Sequence, residues 1–294
     1  RKLNMQFGHK FNIFLDSLLD YPTIIQSKLG GYGSWEQYNR LVSVQLGGCN
    51  FRCWYCYCDD SLLKGKNLVY LTPEELVKQF LEQRVKDLEL GMPSNVLRIS
   101  GGEPFLAPDL ILSCLEEIKR RRLDERIFVW SETNLSPFLK QPSSERSLAE
   151  KWADVNKISS FKNFALHPCV HGITPENLYE TTRVDSKWFE GLLNGLKVLI
   201  QHKIDIYPTF SSNMCPPSHV ESFFKGLLSI NKNLPLRFAL VEYHLDYPSV
   251  LARSDAQKHE TVYNKYLVIQ KWNDLLQDTY GLSYAEKPRH DVPL

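Results

Sequence analysis

The most regular feature of the chain is an alternation of short apolar runs with longer segments that carry apolar residues at helical spacing. Runs of five to seven apolar residues are typical of strands that are buried on both faces. Six such runs occur, namely LVSVQL (41–46), VLRIS (96–100), IFVWS (127–131), FKNFAL (161–166), IDIYPTF (204–210) and LRFALV (236–241). The pattern therefore predicts six buried parallel strands.

The segments between these runs predict helices. The clearest helix begins at Thr72, which can cap it, with Pro73 in the first turn and Glu75 placed to complete a capping box. Further helices are predicted near 109–122, 145–153, 186–202, 218–229 and 256–278. Strands that alternate with helices form a parallel sheet with right-handed crossovers. The predicted fold class is α/β, a partial (β/α)6 TIM-like barrel of parallel strands with N- and C-terminal extensions.

The run boundaries also suggest how the chain is divided. We assign 41–245 to the core barrel, 1–40 to an N-terminal extension and 246–294 to a C-terminal helical extension. If the substrate is small, the two extensions are expected to enclose it as lids. If the substrate is a polypeptide loop, the mouth of the barrel is expected to be open.

Composition and charge exclude several classes of protein. The 294 residues are 43% hydrophobic, which is enough for a large core, and 35 Lys and Arg balance 34 Asp and Glu. A balanced charge gives no basic field, so a nucleic-acid partner is not implied. No apolar run reaches the roughly 18 residues of a membrane span, and the first residues lack the apolar region of a signal peptide. We expect a soluble, cytoplasmic protein with no membrane partner.

Four of the seven cysteines lie in one stretch of ten residues, CNFRCWYCYC (49–58). The number of cysteines is odd and three of them lie far from this stretch, so a set of disulfide bonds is not indicated. The pattern favours metal-binding thiolates in a reducing compartment. Four cysteines can provide all the ligands of a tetrahedral zinc site, although structural zinc sites usually take their ligands as two pairs from separate parts of the chain. The other interpretation is an iron–sulfur cluster held by Cys49, Cys53 and Cys56, which leaves one of four irons without a protein ligand.

Polar, chemically capable residues follow every predicted strand. The cysteine loop follows the first strand. The second to sixth strands are followed, in this order, by GGEP (101–104), SETN (131–134), HPCVHG (167–172), SSNMCPP (211–217) and EYH (242–244). In α/β barrels, the carboxyl ends of the strands lie at one end of the barrel and carry the active site. We therefore expect all of these segments to gather around the cysteine loop.

The spacing C-x3-C-x2-C after a first strand, with Tyr55 before the third cysteine and GGEP after the second strand, resembles the radical S-adenosylmethionine (radical SAM) enzymes. The resemblance implies a [4Fe-4S] cluster on Cys49, Cys53 and Cys56, with SAM bound at the open iron. It also implies a flavodoxin or ferredoxin as electron donor. The expected chemistry is reductive cleavage of SAM to a 5′-deoxyadenosyl radical, which abstracts hydrogen from a substrate that the sequence does not identify.

The same resemblance assigns the SAM-binding residues. Gly101 and Gly102 are expected to let the backbone approach the methionyl group, since a Cβ would block close approach or a positive φ. Glu103 is expected to accept a hydrogen bond from the SAM ammonium; the alternative is a plain turn with a solvated carboxylate. The sequence assigns no catalytic residue.

Three further residues are assigned in the same way, each with an alternative. Tyr55 is expected beside the adenine, or simply in the core. Ser131 and Asn134 are expected to reach the ribose or carboxylate of SAM, and helix capping is the alternative for both.

Cys58 is interpreted as a small buried residue, and burial is also the commoner role for Cys169 and Cys215. Lone histidines are more often structural than catalytic, which applies to His167, His171 and His244.

Two further functions stay open at this point. Activases of glycyl-radical enzymes resemble the chain in compactness, in GGEP, in SETN and in the Tyr-His after the sixth strand. They usually carry Asn-Pro where this chain has YCDD, and glycine where it has Leu135. The substrate is therefore a small molecule or a protein. A zinc-binding module without catalysis is the alternative from another class.

Overall fold

Six parallel strands form a single sheet in the order in which they occur along the chain. The computed structural model describes residues 21–28, 41–66, 68–91, 94–138, 148–254, 262–283, 286 and 289–294. The strands are β1 (Leu41–Leu46), β2 (Val96–Gly101), β3 (Phe128–Thr133), β4 (Phe164–Val170), β5 (Thr209–Ser211) and β6 (Ala239–Val241). The order β1-β2-β3-β4-β5-β6 leaves the sheet open between β1 and β6, which confirms the predicted α/β partial barrel.

Helices connect successive strands and cover the outer face of the sheet. They are α1 (Tyr21–Lys28), α2 (Asp60–Leu63), α3 (Pro73–Glu89), α4 (Pro108–Arg120), α5 (Leu148–Ile158), α6 (Pro175–Thr182), α7 (Phe189–Gln201), α8 (Val220–Ile230), α9 (Leu234–Arg237), α10 (Pro248–Leu251) and α11 (Lys265–Tyr280). The predicted capping box at the start of α3 is confirmed. Thr72 Oγ1 accepts a hydrogen bond from Glu75 N at 3.2 Å, and Glu75 Oε2 accepts one from Thr72 N at 2.7 Å.

Several boundaries differ from the predicted ones for local reasons. Strand β4 starts at Phe164 rather than 161, because residues 162–163 form a turn, and Asn163 donates from its side chain to Ile127 O at 2.9 Å. Strand β5 covers only Thr209–Ser211, since Pro208 has no N–H to donate and Ile206 makes only an isolated bridge. Residues 234–237 form α9 instead of the start of β6.

The predicted helices at 145–153 and 256–278 are observed in part. Helix α5 runs through Leu148–Ile158 and helix α11 through Lys265–Tyr280. Residues 145–147 and 255–261 lie outside the described residues. Of the described helices, α1, α2, α6, α9 and α10 have no counterpart in the sequence pattern because each is short and lacks a full apolar stripe.

Helix α1 closes the end of the barrel where the strands begin. Its Ile24 and Ile25 are fully buried and pack in one cluster with Val96, Phe128 and Tyr207, which lie at or just before the starts of β2, β3 and β5. Helix α1 therefore lies at the end of the barrel opposite to the mouth. Residues 1–20 and 29–40 lie outside the described residues.

The two faces of the sheet differ in chemistry. Alternate strand residues such as Leu97, Ile99 and Val129 point outward into the apolar core under the helices. Arg98 and Glu132 lie at strand positions of the opposite parity and line a cavity on the inner face. In the part of the chain that the structure describes, no helix is long and apolar enough to cross a membrane.

Candidate active site

A cavity of about 320 Å³ lies inside the partial barrel. It extends from the first residues of β1 and β2, Leu41 and Val96, to the loops at the carboxyl ends of the strands. Most of the site residues predicted from the sequence line it, namely Cys49, Cys53, Tyr55, Cys56, Gly101, Gly102, Glu103 and Asn134. The fold thus brings the cysteine loop and the GGEP segment to one cavity.

The cysteine loop is fixed by backbone hydrogen bonds on two sides. Cys49 N donates to Leu63 O of α2 at 3.1 Å, and Trp54 N donates to Thr181 O of α6 at 3.2 Å. These bonds satisfy amides of an irregular loop that would otherwise be buried without partners. The loop is therefore held in place by α2, which follows it directly, and by α6, which follows β4.

A third support comes from the segment that follows β6. The Arg253 guanidinium donates to Cys56 O at 2.6 Å, to Cys58 O, and to Asp60 Oδ1 at 2.7 Å. Ser249 of α10 donates to another carbonyl of the same loop, that of residue 57, at 2.7 Å. Arginine suits this position because its planar guanidinium group can donate several hydrogen bonds at once. We call this set of contacts the Arg253 clasp.

The environment of the three thiols explains what they can bind. Burial, with a contribution from the Glu103 charge, raises the pKa of Cys49 to about 12. Burial and the neighbouring Cys56 raise the pKa of Cys53. Such thiols stay protonated near neutral pH unless a cation compensates the thiolates, and soft thiolate ligands select iron–sulfur clusters, zinc or copper(I). The donor set fits a cluster.

Cys58 lies on the other side of the loop. It is 2% exposed, packs with Leu62 and Leu63, and does not line the cavity. Its Sγ lies 3.3 Å from Gly101 O, and its hydrogen bond to the Cys56 sulfur lowers the pKa of Cys56. The placement agrees with its interpretation as a small buried residue.

Among the described residues, no three His, Cys, Asp or Glu side chains are arranged to hold one metal ion. A structural zinc ion needs four ligands around a single centre. A four-iron cluster, in contrast, takes its cysteines on different irons.

The GGEP segment is pressed against the loop that follows β1. Gly102 N donates to Leu46 O at 2.7 Å, and Glu103 N donates to Gly48 O at 2.9 Å. A Cβ at Gly102 would overlap Gly48 O, and Gly101 has a φ of +94°. The glycines are thus required by the approach of a neighbouring backbone, whatever ligand the segment binds.

Glu103 joins the ends of β2 and β3. Its buried carboxylate accepts hydrogen bonds from Phe105 N at 2.9 Å, Thr133 Oγ1 at 2.8 Å and Asn134 N at 2.6 Å. Burial outweighs these bonds and raises the pKa of Glu103 to about 7. A carboxylate can accept about four hydrogen bonds, so one further donor can be accommodated. Glu103 is therefore no solvated turn residue.

Asn134 and Ser131 differ in their access to the cavity. Asn134 Oδ1 accepts a bond from Ser136 N at 3.0 Å, which is the predicted capping alternative, while its Nδ2 donates to Asn50 Oδ1 at 3.1 Å. Ser131 is fully buried, donates to Ile99 O at 3.3 Å and does not line the cavity. The assignment of Ser131 to SAM therefore has the weakest structural support.

Tyr55 and two histidines occupy the wall near the cysteines. Tyr55 Oη lies 2.8 Å from His171 Nδ1, and its ring stacks on Tyr243 at 4.5 Å between centroids. His167 Nε2 lies 2.8 Å from Thr209 Oγ1. Burial lowers the pKa of both histidines to about 4, so their rings are neutral at neutral pH.

The shift of β4 changes the interpretation of its polar residues. His167 and Cys169 lie on the strand and line the cavity, instead of following the strand as the sequence predicted. His171 and His244 line it from strand ends, whereas Cys215 is fully buried away from it.

Sequence reasoning missed the charged pair in the barrel. Arg98 and Glu132 face the cavity from β2 and β3, and Arg98 Nε donates to Glu132 Oε1 at 2.7 Å. The available signal was an arginine inside the otherwise apolar run VLRIS. A charge in a buried strand needs a partner, which points to a functional interior.

Comparison with known proteins places these features in a family. The family model described as the Radical SAM superfamily matches residues 44–215 of the chain. The chain is 33% identical over 86 residues to 7-carboxy-7-deazaguanine synthase of Methanothermobacter thermautotrophicus, covering 29% of the chain and 32% of that protein. It is 30% identical over 77 residues to GTP 3′,8-cyclase of Microcystis aeruginosa, covering 26% and 22%. The matches thus span about a third or less of these curated relatives.

Solved structures share the fold at low sequence identity. Streptococcus suis SuiB bound to precursor peptide SuiA has a TM-score of 0.54 and 13% identity, over 86% of this chain and 48% of SuiB. Native anSMEcpe with bound AdoMet has a TM-score of 0.51 and 16% identity, over 80% of this chain and 58% of anSMEcpe. At these identities the likeness supports the fold alone.

The contact between the GGEP segment and the β1 loop can be tested with Gly102→Ala. We expect a loss of about 1–3 kcal/mol in the free energy of unfolding, because the added methyl overlaps the Gly48 backbone. Urea denaturation measures the loss. Gly226→Ala in α8 is the control, since its Cβ meets nothing within 4 Å and alanine favours a helix. Equal stability of the two variants would contradict the close approach.

The Arg253 clasp can be tested with Arg253→Met, which keeps much of the stem but removes the donors. We expect faster amide hydrogen exchange in the peptide that contains 49–63, because two carbonyls and Asp60 lose the hydrogen bonds from Arg253. Arg253→Lys should show intermediate exchange. Unchanged exchange in the methionine variant would mean that the clasp does not stabilise the loop.

Proposed function

The chain belongs to the radical SAM superfamily, and we propose that it is an enzyme that cleaves S-adenosylmethionine at a [4Fe-4S] cluster held by Cys49, Cys53 and Cys56. When bound, the cluster supplies the electron that breaks the sulfur–C5′ bond, which gives methionine and a 5′-deoxyadenosyl radical. The observation that carries the proposal is that the three cysteines and the GGEP segment line one cavity.

The chain's own residues have distinct parts in this proposal. The sulfurs of the three cysteines bind iron as thiolates once the positive charge of the iron compensates them. Gly101 and Gly102 leave the backbone at the cavity wall without side chains. Glu103 uses its remaining acceptor position for the SAM ammonium, and that positive charge restores its ionised form at neutral pH.

Tyr55 and Asn134 complete the proposed SAM site. Tyr55 presents an aromatic ring at the cavity, held by Tyr243 and by its hydrogen bond to His171. Asn134 has a cavity-lining amide that is already oriented by the cysteine loop. Such preorganisation lowers the cost of ordering side chains on binding.

We assign the substrate to the part of the same cavity that lies along the strands, beside Arg98 of β2 and Glu132 of β3. The cavity volume of about 320 Å³ favours a small molecule over a long polypeptide, and Tyr243, His244 and Tyr247 line its wall after β6. Two of the curated relatives are named for the formation of a deazaguanine and for the cyclisation of GTP, which agrees with a small substrate. A flavodoxin or ferredoxin, a cytoplasmic location and a core at 41–245 are part of the proposal.

Activation of a glycyl-radical enzyme is the second candidate. Leu135, which stands where such activases carry glycine, has a φ of +67°, so the backbone keeps the conformation that glycine would adopt. SuiB, which shares the fold, binds a precursor peptide. The YCDD segment still departs from the activase pattern, which leaves this candidate behind the first.

Iron content tests the cluster ligands. We expect Cys49→Ala, Cys53→Ala and Cys56→Ala each to abolish cluster assembly after anaerobic reconstitution, because each removes one of three proposed ligands. Cys58→Ala should keep its iron, since Cys58 does not line the cavity. Iron and acid-labile sulfide are the measurements. Iron loss in the Cys58 variant equal to that in the other three would overturn the assignment, and one zinc per chain would support the non-catalytic alternative.

Calorimetric titration with SAM tests Glu103. Glu103→Ala should weaken binding by about 2 kcal/mol, the order expected when a charged group loses its hydrogen-bonding partner. Glu103→Gln separates charge from hydrogen bonding, and Thr133→Val removes one bond to Glu103 while it keeps the charge. Affinity that is unchanged in both Glu103 variants would place the ammonium elsewhere.

Product analysis tests the function as a whole. Reduced anaerobically with dithionite or a flavodoxin-type donor, the iron-loaded protein should convert SAM slowly to methionine and 5′-deoxyadenosine without a substrate. Chromatography detects both products. The EPR signal of the reduced protein should change when SAM is added. Absence of both the products and the EPR change would refute the proposal.

A further inference from the structure

An ion pair lies inside the partial barrel, where it faces the cavity. Arg98 on β2 donates from Nε to Glu132 Oε1 at 2.7 Å and from Nη2 to the same oxygen. Ser100 donates to the other oxygen, Glu132 Oε2, at 2.5 Å. Burial pushes the pKa of Glu132 up, but the Arg98 charge and the hydrogen bonds from Ser100 and Arg98 act together against it, and the net pKa is lowered. Both groups are therefore ionised at neutral pH.

The pair has hydrogen-bonding capacity that the protein does not use. Arginine has five N–H donors, and the two bonds to Glu132 leave Nη1 without a partner among the residues that the structure describes. The Glu132 carboxylate accepts three bonds of about four that it can take. The side chains of Arg98 and Glu132 are 22% and 16% exposed, and both line the cavity.

A purely structural role explains this arrangement poorly. The interior of an α/β barrel is usually filled with branched apolar side chains, and a buried ion pair is often no more stabilising than apolar residues of similar volume. Removal of either partner would leave a buried charge without compensation. An ion pair with spare donors that faces a cavity is better explained by a ligand.

The charge of the pair defines which ligand fits. Arg98 and Glu132 together carry no net charge, and Glu242, which lines the same cavity, is paired with Lys265. An anionic group would therefore meet no net positive charge. The free Nη1 donor beside a carboxylate acceptor matches a carbonyl oxygen beside an N–H group.

Aromatic side chains flank the pair. Trp130 lines the cavity two residues before Glu132, and Tyr57 Oη lies 3.1 Å from Ser100 Oγ, in the same hydrogen-bond network. The neutral His167 ring packs edge-on against Trp130, with 6.0 Å between centroids. Aromatic walls around a few fixed polar groups are typical of sites for flat ligands.

We propose that Arg98 and Glu132 form the substrate-recognition subsite and that it takes a planar neutral group with an amide or lactam edge. The carbonyl accepts from Arg98 Nη1, and the adjacent N–H donates to Glu132. The proposal rests on the proposed function, because it assigns this cavity to the substrate.

Three matched probes test the subsite, namely benzamide, benzoate and acetophenone. Benzamide has both a carbonyl and an N–H, benzoate is an anion, and acetophenone only accepts. Saturation-transfer NMR titrations measure their affinities for the iron-loaded, SAM-bound protein and for the protein without iron. We expect benzamide to bind roughly fivefold more tightly than the other two, the scale of one net hydrogen bond.

Variants identify the residues responsible. Glu132→Gln leaves the Arg98 charge uncompensated, so the preference should move from benzamide to benzoate. The double variant Arg98→Met with Glu132→Gln keeps the charge balanced in case the single variant does not fold, and it should bind the three probes equally. Arg121→Met, which breaks an ion pair with Glu117 on helix α4, is the control and should keep the wild-type order.

The outcomes separate this proposal from the proposed function. Equal binding of the three probes, a preference for benzoate or no saturable binding in the wild type would overturn the subsite. An unchanged order in the double variant would also overturn it. Binding of SAM and formation of 5′-deoxyadenosine are measured on the same samples, so their absence, with the benzamide preference intact, would refute the cofactor chemistry and retain the subsite.

Discussion

The backbone contact between the loop after β1 and the segment after β2 is the constraint on which the site depends. Gly102 N and Glu103 N donate to Leu46 O and Gly48 O, and a Cβ at Gly102 would overlap Gly48 O. The contact brings the cysteine loop and the GGEP segment together directly, without side chains between them. Any group that binds to both loops depends on this spacing.

The cysteine loop is irregular, so its position has to be imposed by its surroundings. Helices α2 and α6 hold its amides, and the Arg253 clasp holds its carbonyls from a segment that is about 200 residues away in the chain. This support is long-range and polar. It links the segment that follows β6, which includes Tyr243 and Tyr247 at the cavity wall, to the loop that carries the three proposed cluster ligands.

The inner face of the sheet combines functions that a packed core could not. Outward residues such as Leu97 and Ile99 provide the apolar contacts that stabilise the barrel, while Arg98 and Glu132 keep charge on the inner face. Ions in such a place are costly unless they are paired. The pairing makes the charges tolerable, and the spare donor and acceptor give the interior its proposed specificity.

The sequence by itself determined the elements with strong local signals. The apolar runs at β1 and β2, the capping box at Thr72 and the cysteine spacing indicated an α/β barrel with a metal-binding loop. Short-range chemistry sets these features, since strand burial, helix capping and thiolate repulsion each act over a few residues. The same reasoning identified GGEP as a neighbour of the cysteine loop, because parallel strands end on one side.

Tertiary structure alone decided the rest. It shortened β5 and moved β4, so that His167 and Cys169 line the cavity, and it buried Ser131 away from it. It also paired Arg98 with Glu132 and placed Arg253 on the cysteine loop. These contacts join residues that are 34 to 197 positions apart, and no local pattern records which distant partner a side chain meets.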